Sequence, residues 1–384
     1  MLRHYDQHWG GVRVYTHKLL QALLELRTGH EFVLLYRNPS LVGTHAADPQ
    51  VEEVALPAPS ILLWDQAAVP LAVRRHHIDL LFNPKYSMAL AVRCPSVWVC
   101  HGLDWYVMPW ASRMFDRLSH RYLVPRYAAK ADAIIAVSEV TRQHVIEYLD
   151  VEPERVVTVY SGVDEVFRTP QDADRLLAVR EWYGLPDRFV LYAGAIYPPK
   201  NFARLVRAYA RVGPPRGVHL VVAGGENRFL SKSDLHEPEF QHIASWVRWP
   251  GWVEEEEDLA AIYSMADALL LPSLFESWGL PALEAMAAGC PVVTSNRYGT
   301  QELAGNAAVL VNPESVESIA GGIAQVLDDQ PLRARLIAAG RQRSAQFGWR
   351  RCAEETIRVL ERVAQAHRLQ HPAPQHGATG PALR

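Results

Sequence analysis

The chain has 384 residues, 49% hydrophobic and 21% charged, with a formal net charge of −3. At roughly 100–200 residues per domain, two to three domains are expected, and this balance excludes collagen-like, coiled-coil and wholly disordered chains. Neither half has the basic excess that binding nucleic acid through its phosphates favours.

The N-terminus, MLRHYDQHWGG, lacks the apolar core of a signal peptide, and no later stretch reaches the ~18 apolar residues of a membrane span. Cys94, Cys100, Cys290 and Cys352 form no C-x-x-C pair and read as free thiols of a reducing compartment. A cytoplasmic protein is the expectation. Strands follow in order: FVLLY (32–36), DLLF (79–82), SVWVC (96–100), AIIAV (133–137), VVTVY (156–160), FVLYA (189–193), HLVVA (219–223), ALLLP (268–272) and PVVTS (291–295). Continuous apolar runs of this kind suit parallel strands covered on both faces. Amphipathic helices lie between them, as at 12–26 and 201–212, so the fold class is α/β with doubly wound, Rossmann-like parallel sheets.

The predicted organisation is an N-terminal domain over 1–168, a linker over 169–188 and a C-terminal domain over 189–346. A last helix over 347–368 and a Pro-, Gly- and His-rich disordered tail over 369–384 follow. A doubly wound domain opens with a strand leading into its first glycine turn, yet MLRHYD before that turn is at most a stub. Either the reading frame starts earlier or this domain lacks most of its first strand.

The most informative segment is LFESWGLPALEAMAAGCPVVTS (274–295). Pro281 suits the first turn of a helix, which puts Glu284 in that first turn and Glu276 on the loop before it. The N–H groups of Gly279 and Leu280 then form an anion site at the helix start. Two carboxylates beside such a site suit a ligand with both phosphates and hydroxyls, although a loop acid and a helix-start acid also occur for structural reasons alone. In LYAGAIYPPKNFARLVRAY (191–209), Gly194 follows a strand and Lys200 precedes a helix, which is a pyrophosphate cradle in outline.

These segments resemble the donor-site signature of the retaining glycosyltransferases of family 4, which have the GT-B fold of two Rossmann-like domains facing a cleft. Ser277 and Trp278 stand where that family has glycine and phenylalanine, and Pro199 where it has arginine, which removes one positive charge; Arg204 is a candidate to compensate. The resemblance implies that Glu284 binds the nucleotide ribose, Glu276 the donor sugar, and Lys200 with Gly194 the diphosphate. WPGWVEEEEDLAAIYSMADALLLPS (249–273) is similar to the family's next block and places Trp252 and Val253 at the nucleobase. Gly10 and Gly11 resemble the glycine turn that closes over the donor phosphates. His101, at the end of SVWVC, is either a donor-sugar contact or a strand-end histidine bonded to backbone; Asp104 is a looser candidate. Ser138 reads as a helix cap, YSGVD (160–164) resembles the family's hinge, and FGWRRCAEETIRVLERV (347–363) its terminal helix.

The expected activity is transfer of a mannose- or glucose-type hexose from a nucleotide-diphosphate sugar to a glycan, lipid-linked or small-molecule acceptor, with no metal. Rival readings are a GT-B sugar-nucleotide epimerase and a sugar-nucleotide-binding protein without turnover; a nicotinamide dehydrogenase lacks its G-x-G-x-x-G. Residues 111–124 form an amphipathic helix ended by Pro125. Met114, Phe115, Leu118 and Tyr122 share one face, and Arg113, Arg117 and Arg121 another. It reads as a solvated core helix or as a basic face for peripheral contact with an anionic membrane.

Overall fold

The computed structural model describes residues 1–2, 10–85, 87–111, 114–225 and 241–371, with backbone alone over 114–116. The chain forms two compact units, Met1–Ser161 with Trp349–Arg384, and Gly162–Gly348. The division falls inside YSGVD, upstream of the boundary at 168. The segment 169–188 is not a linker: Asp172 caps a helix over Ala173–Tyr183, and Gly184 ends it in the left-handed region. That helix joins the second unit through Tyr183, whose hydroxyl donates to Asp258 at 2.9 Å.

In the first unit the strands are β1 (Phe32–Tyr36), β2 (Val51–Ala55), β3 (Leu81–Asn83), β4 (Ser96–Cys100), β5 (Ala133–Ala136) and β6 (Val156–Thr158). They are parallel but lie in two pieces, β1-β2 and β3-β4-β5-β6. Between the pieces run Met1 and Leu2. The Leu2 N–H donates to Leu35 O at 2.9 Å, and the Met1 ammonium donates to Phe82 O at 2.9 Å. Burial lowers the Met1 α-amino group to about 5, against the opposing pull of Asp65. Met1 and Leu2 form no strand of their own, and RHYDQHW lies outside the described residues. Alongside them is an apolar cavity of about 120 Å³ whose walls include Leu19, Leu23, Val33, Ile78, Leu80 and Leu360.

The second unit holds β7 (Phe189–Ala193), β8 (His219–Ala223), β9 (Val247–Gly251), β10 (Ala268–Leu271), β11 (Val292–Ser295) and β12 (Val309–Val311). Their order is β12-β11-β10-β7-β8-β9, all parallel, the doubly wound order with its reversal between β10 and β7. The helix Phe202–Val212 buries Phe202, Leu205, Val206, Tyr209 and Val212, one face at helical spacing. This face packs against Tyr192, Leu220 and Val222 of the sheet.

Two helices differ from expectation. The helix expected over 111–124 spans Met114–Lys130 and runs through Pro125. A helix-interior proline removes one backbone donor and crowds the preceding turn. Here the turn is supported by the Arg126 guanidinium, which donates to Tyr122 O at 2.6 Å. The terminal helix covers Trp349–Gln370, past the expected end at 368; residues 372–384 of the predicted tail lie outside the described residues. Among the described residues no helix is long and apolar enough to cross a membrane.

Candidate active site

At a sheet reversal the loops leaving the two adjacent strands diverge and open a crevice at their C-terminal ends. In the second unit those strands are β7 and β10, and Lys200 and Glu276 follow them. β7 runs into Gly194, whose φ of 122° favours glycine. Its N–H donates to Ala223 O at 3.0 Å, so Gly194 offers a side-chain-free surface, and its donor serves the β7–β8 join. The turn Pro198–Lys200 follows, and Asn201 opens the helix Phe202–Val212 in the left-handed region. Buried Asn201 donates to Pro272 O at 2.9 Å and Pro313 O at 2.7 Å. Arg204 donates to Asn201 Oδ1 at 3.0 Å, which makes it a brace for this turn.

Lys200 Nζ is ion-paired to Glu276 Oε1, with both side chains nearly buried. Ser273 Oγ donates to the same carboxylate oxygen at 3.0 Å. Burial draws the Lys200 ammonium down, but the Glu276 carboxylate and Tyr197 outweigh it and its pKa stands above the ordinary value. The Lys200 ammonium therefore stays charged at the crevice, paired with Glu276. The loop carrying Glu276 is tied to the lysine turn, since the Leu274 N–H donates to Pro199 O at 2.7 Å.

Gly279 has a φ of 100° and caps the helix Leu280–Ala288. The first intrahelical bonds run from Ala282 and Leu283 to Gly279 O, so the N–H groups of Gly279 and Leu280 lie ahead of them at the positive end of the helix. Glu284 sits on the second turn of this helix and not in the first, because the helix starts at Leu280. Its Oε2 accepts a hydrogen bond of 3.0 Å from the buried Tyr263 hydroxyl, which fixes the carboxylate. Trp252 and Val253 leave the C-terminal end of β9, with Trp252 half-buried and Val253 buried. Glu256, Glu257 and Asp258 occupy the first turn of the helix Glu256–Met265, a placement the helix dipole favours.

The first unit carries the other candidates. Gly10, with φ of 118°, caps the helix Gly11–Glu25, and its carbonyl accepts from Arg13 and Val14. His101 follows β4, and its Nε2 lies 2.6 Å from Pro84 O. A carbonyl only accepts, so Nε2 carries the hydrogen and Nδ1 is the basic nitrogen. The imidazole stands edge-on to Tyr15 at 4.6 Å. Burial, set against the Pro84 bond, lowers its pKa to about 4, so the ring is neutral at pH 7. Burial also raises the Asp104 carboxyl above its ordinary range. Ser138 caps its helix by accepting from Thr141 N at 3.0 Å. Sequence reading missed Asn201, Ser273 and Tyr263; all three stood inside quoted motifs, but their bonds to Pro272, Glu276 and Glu284 appear only once the chain is folded.

Comparison with known proteins gives the same architecture. The model for glycosyl transferases group 1 matches residues 183–343, and that for glycosyltransferase family 4 matches residues 9–167. The chain is 30% identical over 253 residues to the serotype-specific mannosyltransferase WbdA of Escherichia coli, covering 62% of this chain and 29% of that one. It is 31% identical over 261 residues to a D-inositol 3-phosphate glycosyltransferase of Mycolicibacterium smegmatis, covering 65% and 57%. The matched stretch is thus less than two thirds of each relative's length. In fold the chain resembles HepE of Anabaena, solved with UDP and glucose, with TM-score 0.72, 19% identity, and 92% and 96% coverage.

Proposed function

Since the chain belongs to the group 1 glycosyltransferases of the GT-B fold, we propose that it moves a hexose from a nucleotide-diphosphate sugar to a glycan or lipid-linked acceptor. The transfer retains the anomeric configuration and needs no metal. The observation that carries this reading is the Lys200–Glu276 pair beside the start of the helix Leu280–Ala288 at the sheet reversal. The mannosyltransferase relative supports mannose as the sugar, and the neighbour solved with UDP and glucose supports a glucose-type sugar. The setting is assembly of a cell-surface polysaccharide or glycolipid.

In this mechanism the donor diphosphate divides the resting ion pair. Lys200 turns to the phosphate oxygens, where the N–H groups of Gly279 and Leu280 also point. Gly194, with no side chain, allows the diphosphate close approach. The bond between the anomeric carbon and phosphate oxygen breaks with its electron pair on the leaving group, which Lys200 and the helix start stabilise. The acceptor hydroxyl adds from the same face, and its proton passes to a leaving phosphate oxygen. Glu276, released from Lys200, holds the sugar hydroxyls and the positive charge developing on the ring. Glu284 takes the ribose hydroxyls, and Trp252 and Val253 border the base.

The acceptor is brought by a membrane surface. Leu118 and Tyr122 are exposed on the helix Met114–Lys130, close in sequence to exposed Trp110, and Arg117 and Arg121 lie on the same helix; Met114 and Phe115 side chains and Arg113 lie outside the described residues. Replacing Arg113, Arg117 and Arg121 with Glu is expected to abolish co-sedimentation with anionic vesicles, and unchanged sedimentation would refute this contact.

The first test is thermal stabilisation by UDP, GDP, ADP and TDP. Ligand at 100 times its dissociation constant adds about 2.7 kcal/mol, a shift of several degrees. One nucleotide is expected to shift the parent and not Glu284→Ala, after which the matching mannose or glucose donor is assayed for turnover. A chain that none of the four stabilises would overturn the reading.

A further inference from the structure

Five non-glycine residues among those described have positive φ. Arg27, His77 and Asp150 follow the ends of helices, where one left-handed residue stops the helix. Asn201 adopts the region readily and adjoins Lys200. Tyr298, with φ of 54°, fits none of these cases. It starts the helix Tyr298–Ala304, and a bulky L-residue adopts this conformation only under strain.

The strain sits against the loop that carries Glu276. The Tyr298 ring lies 4.9 Å from that of Phe275, a buried residue immediately before Glu276. The next N–H, of Gly299, donates to Glu276 O at 2.9 Å. A Cβ on Gly299 would come within 2.1 Å of Ser277 O, so the two turns press together without slack. On the other side the Phe275 loop is bonded to Pro199. The Glu276 loop is therefore clamped between the lysine turn and the Tyr298–Gly299 turn.

We propose that Tyr298 is a positioning residue for Glu276. Its ring, held on Phe275 by a backbone conformation that glycine would adopt freely, sets where the Glu276 carboxylate stands once Lys200 turns to the diphosphate. This rests on the reading of Glu276 as the sugar-facing carboxylate.

The test compares Tyr298→Gly, Tyr298→Phe and Glu276→Ala in melting temperature, nucleoside-diphosphate affinity, KM and kcat. Tyr298→Phe keeps the ring and is expected within about twofold of the parent. Tyr298→Gly relieves the backbone, melts close to the parent, binds the nucleotide normally and loses about tenfold in kcat or more, the pattern of a group acting only in the chemical step. If that variant fails to fold, Tyr298→Asn, also tolerant of this φ, carries the same readout. A kcat held within twofold would make the ring mere packing, and a matching loss of nucleotide affinity would make it a wall of the binding site; either overturns the proposal. Normal turnover by Glu276→Ala would instead remove the reading of Glu276 and the proposal with it.

Discussion

In the second unit an unbroken sheet brings Lys200 and Glu276 off adjacent strands and ties them by side-chain bonds. In the first unit His101 leaves a sheet divided in two and is held by a backbone carbonyl and the edge of Tyr15. One site is organised by opposite charges out of water, the other by burial of a neutral ring. The two should therefore fail differently. Loss of a charged partner strands its mate, whereas the histidine is sensitive to acid and to the packing around it.

The largest expected effect tests the charged side. Lys200→Ala or Glu276→Ala should lower transfer at least about a hundredfold in a chain that still folds. Either should also cost about 3–5 kcal/mol of stability, because a buried charge is left alone. The joint change Lys200→Met with Glu276→Leu should recover most of that stability and none of the transfer. Equal unfolding free energies for all four chains would refute a desolvated pair.

Acid sharpens the other side. His101 has a pKa of about 4 in the folded chain against ~6.5 unfolded. Between those values the unfolded chain binds more protons. The stability from the neutral ring is thus complete above pH 6.5 and drains as the pH falls toward 4, by about 3 kcal/mol. His101→Gln keeps a donor for Pro84 O but does not titrate. Its unfolding free energy, followed by denaturant at several pH values, should converge on the parent's by about that amount; a constant gap would mean an ordinary histidine.

The smallest effect contrasts the two sheets directly. Val33→Ile adds a methylene at the 120 Å³ cavity of the first unit and should stabilise by about 0.5–1 kcal/mol. Val222→Ile adds the same group where the side chain is fully enclosed and should destabilise by about 1 kcal/mol. Melting shifts of the same sign would erase the distinction.

Most strands were readable because central parallel strands are continuous apolar runs. The three that escaped, β2, β9 and β12, are all at sheet edges: β2 carries Glu52 and Glu53, β9 contains Pro250, and β12 has only three residues. Half-solvated strands need no unbroken apolar run. At the site, Gly279 and Lys200 were legible from strand, turn and helix-start chemistry, and the roles around them from resemblance. The bond between Lys200 and Glu276 was not legible, because it joins two loops far apart in sequence and depends on the order of β7 and β10. Nor was the backbone of Tyr298, since nothing in Arg297–Tyr298–Gly299 marks the tyrosine rather than the glycine as the left-handed residue.

The split sheet has a consequence for how the first unit moves. Leu2, Leu20, Leu24, Leu34 and Tyr36 form a small apolar cluster of their own, while Leu35, Val33 and Val54 of the same two strands join the larger one around Trp98, Ile134 and Val145. Opening of β1–β2 would therefore break the small cluster and withdraw Leu35, Val33 and Val54 from the larger one, a subglobal step short of unfolding the unit. Amide protons of β1 and β2 should then exchange through a subglobal opening, ahead of those of β4 and β5. The helix Gly11–Glu25, which supplies Leu20 and Leu24 to that cluster, would share the fluctuation and carry the Gly10–Gly11 turn with it.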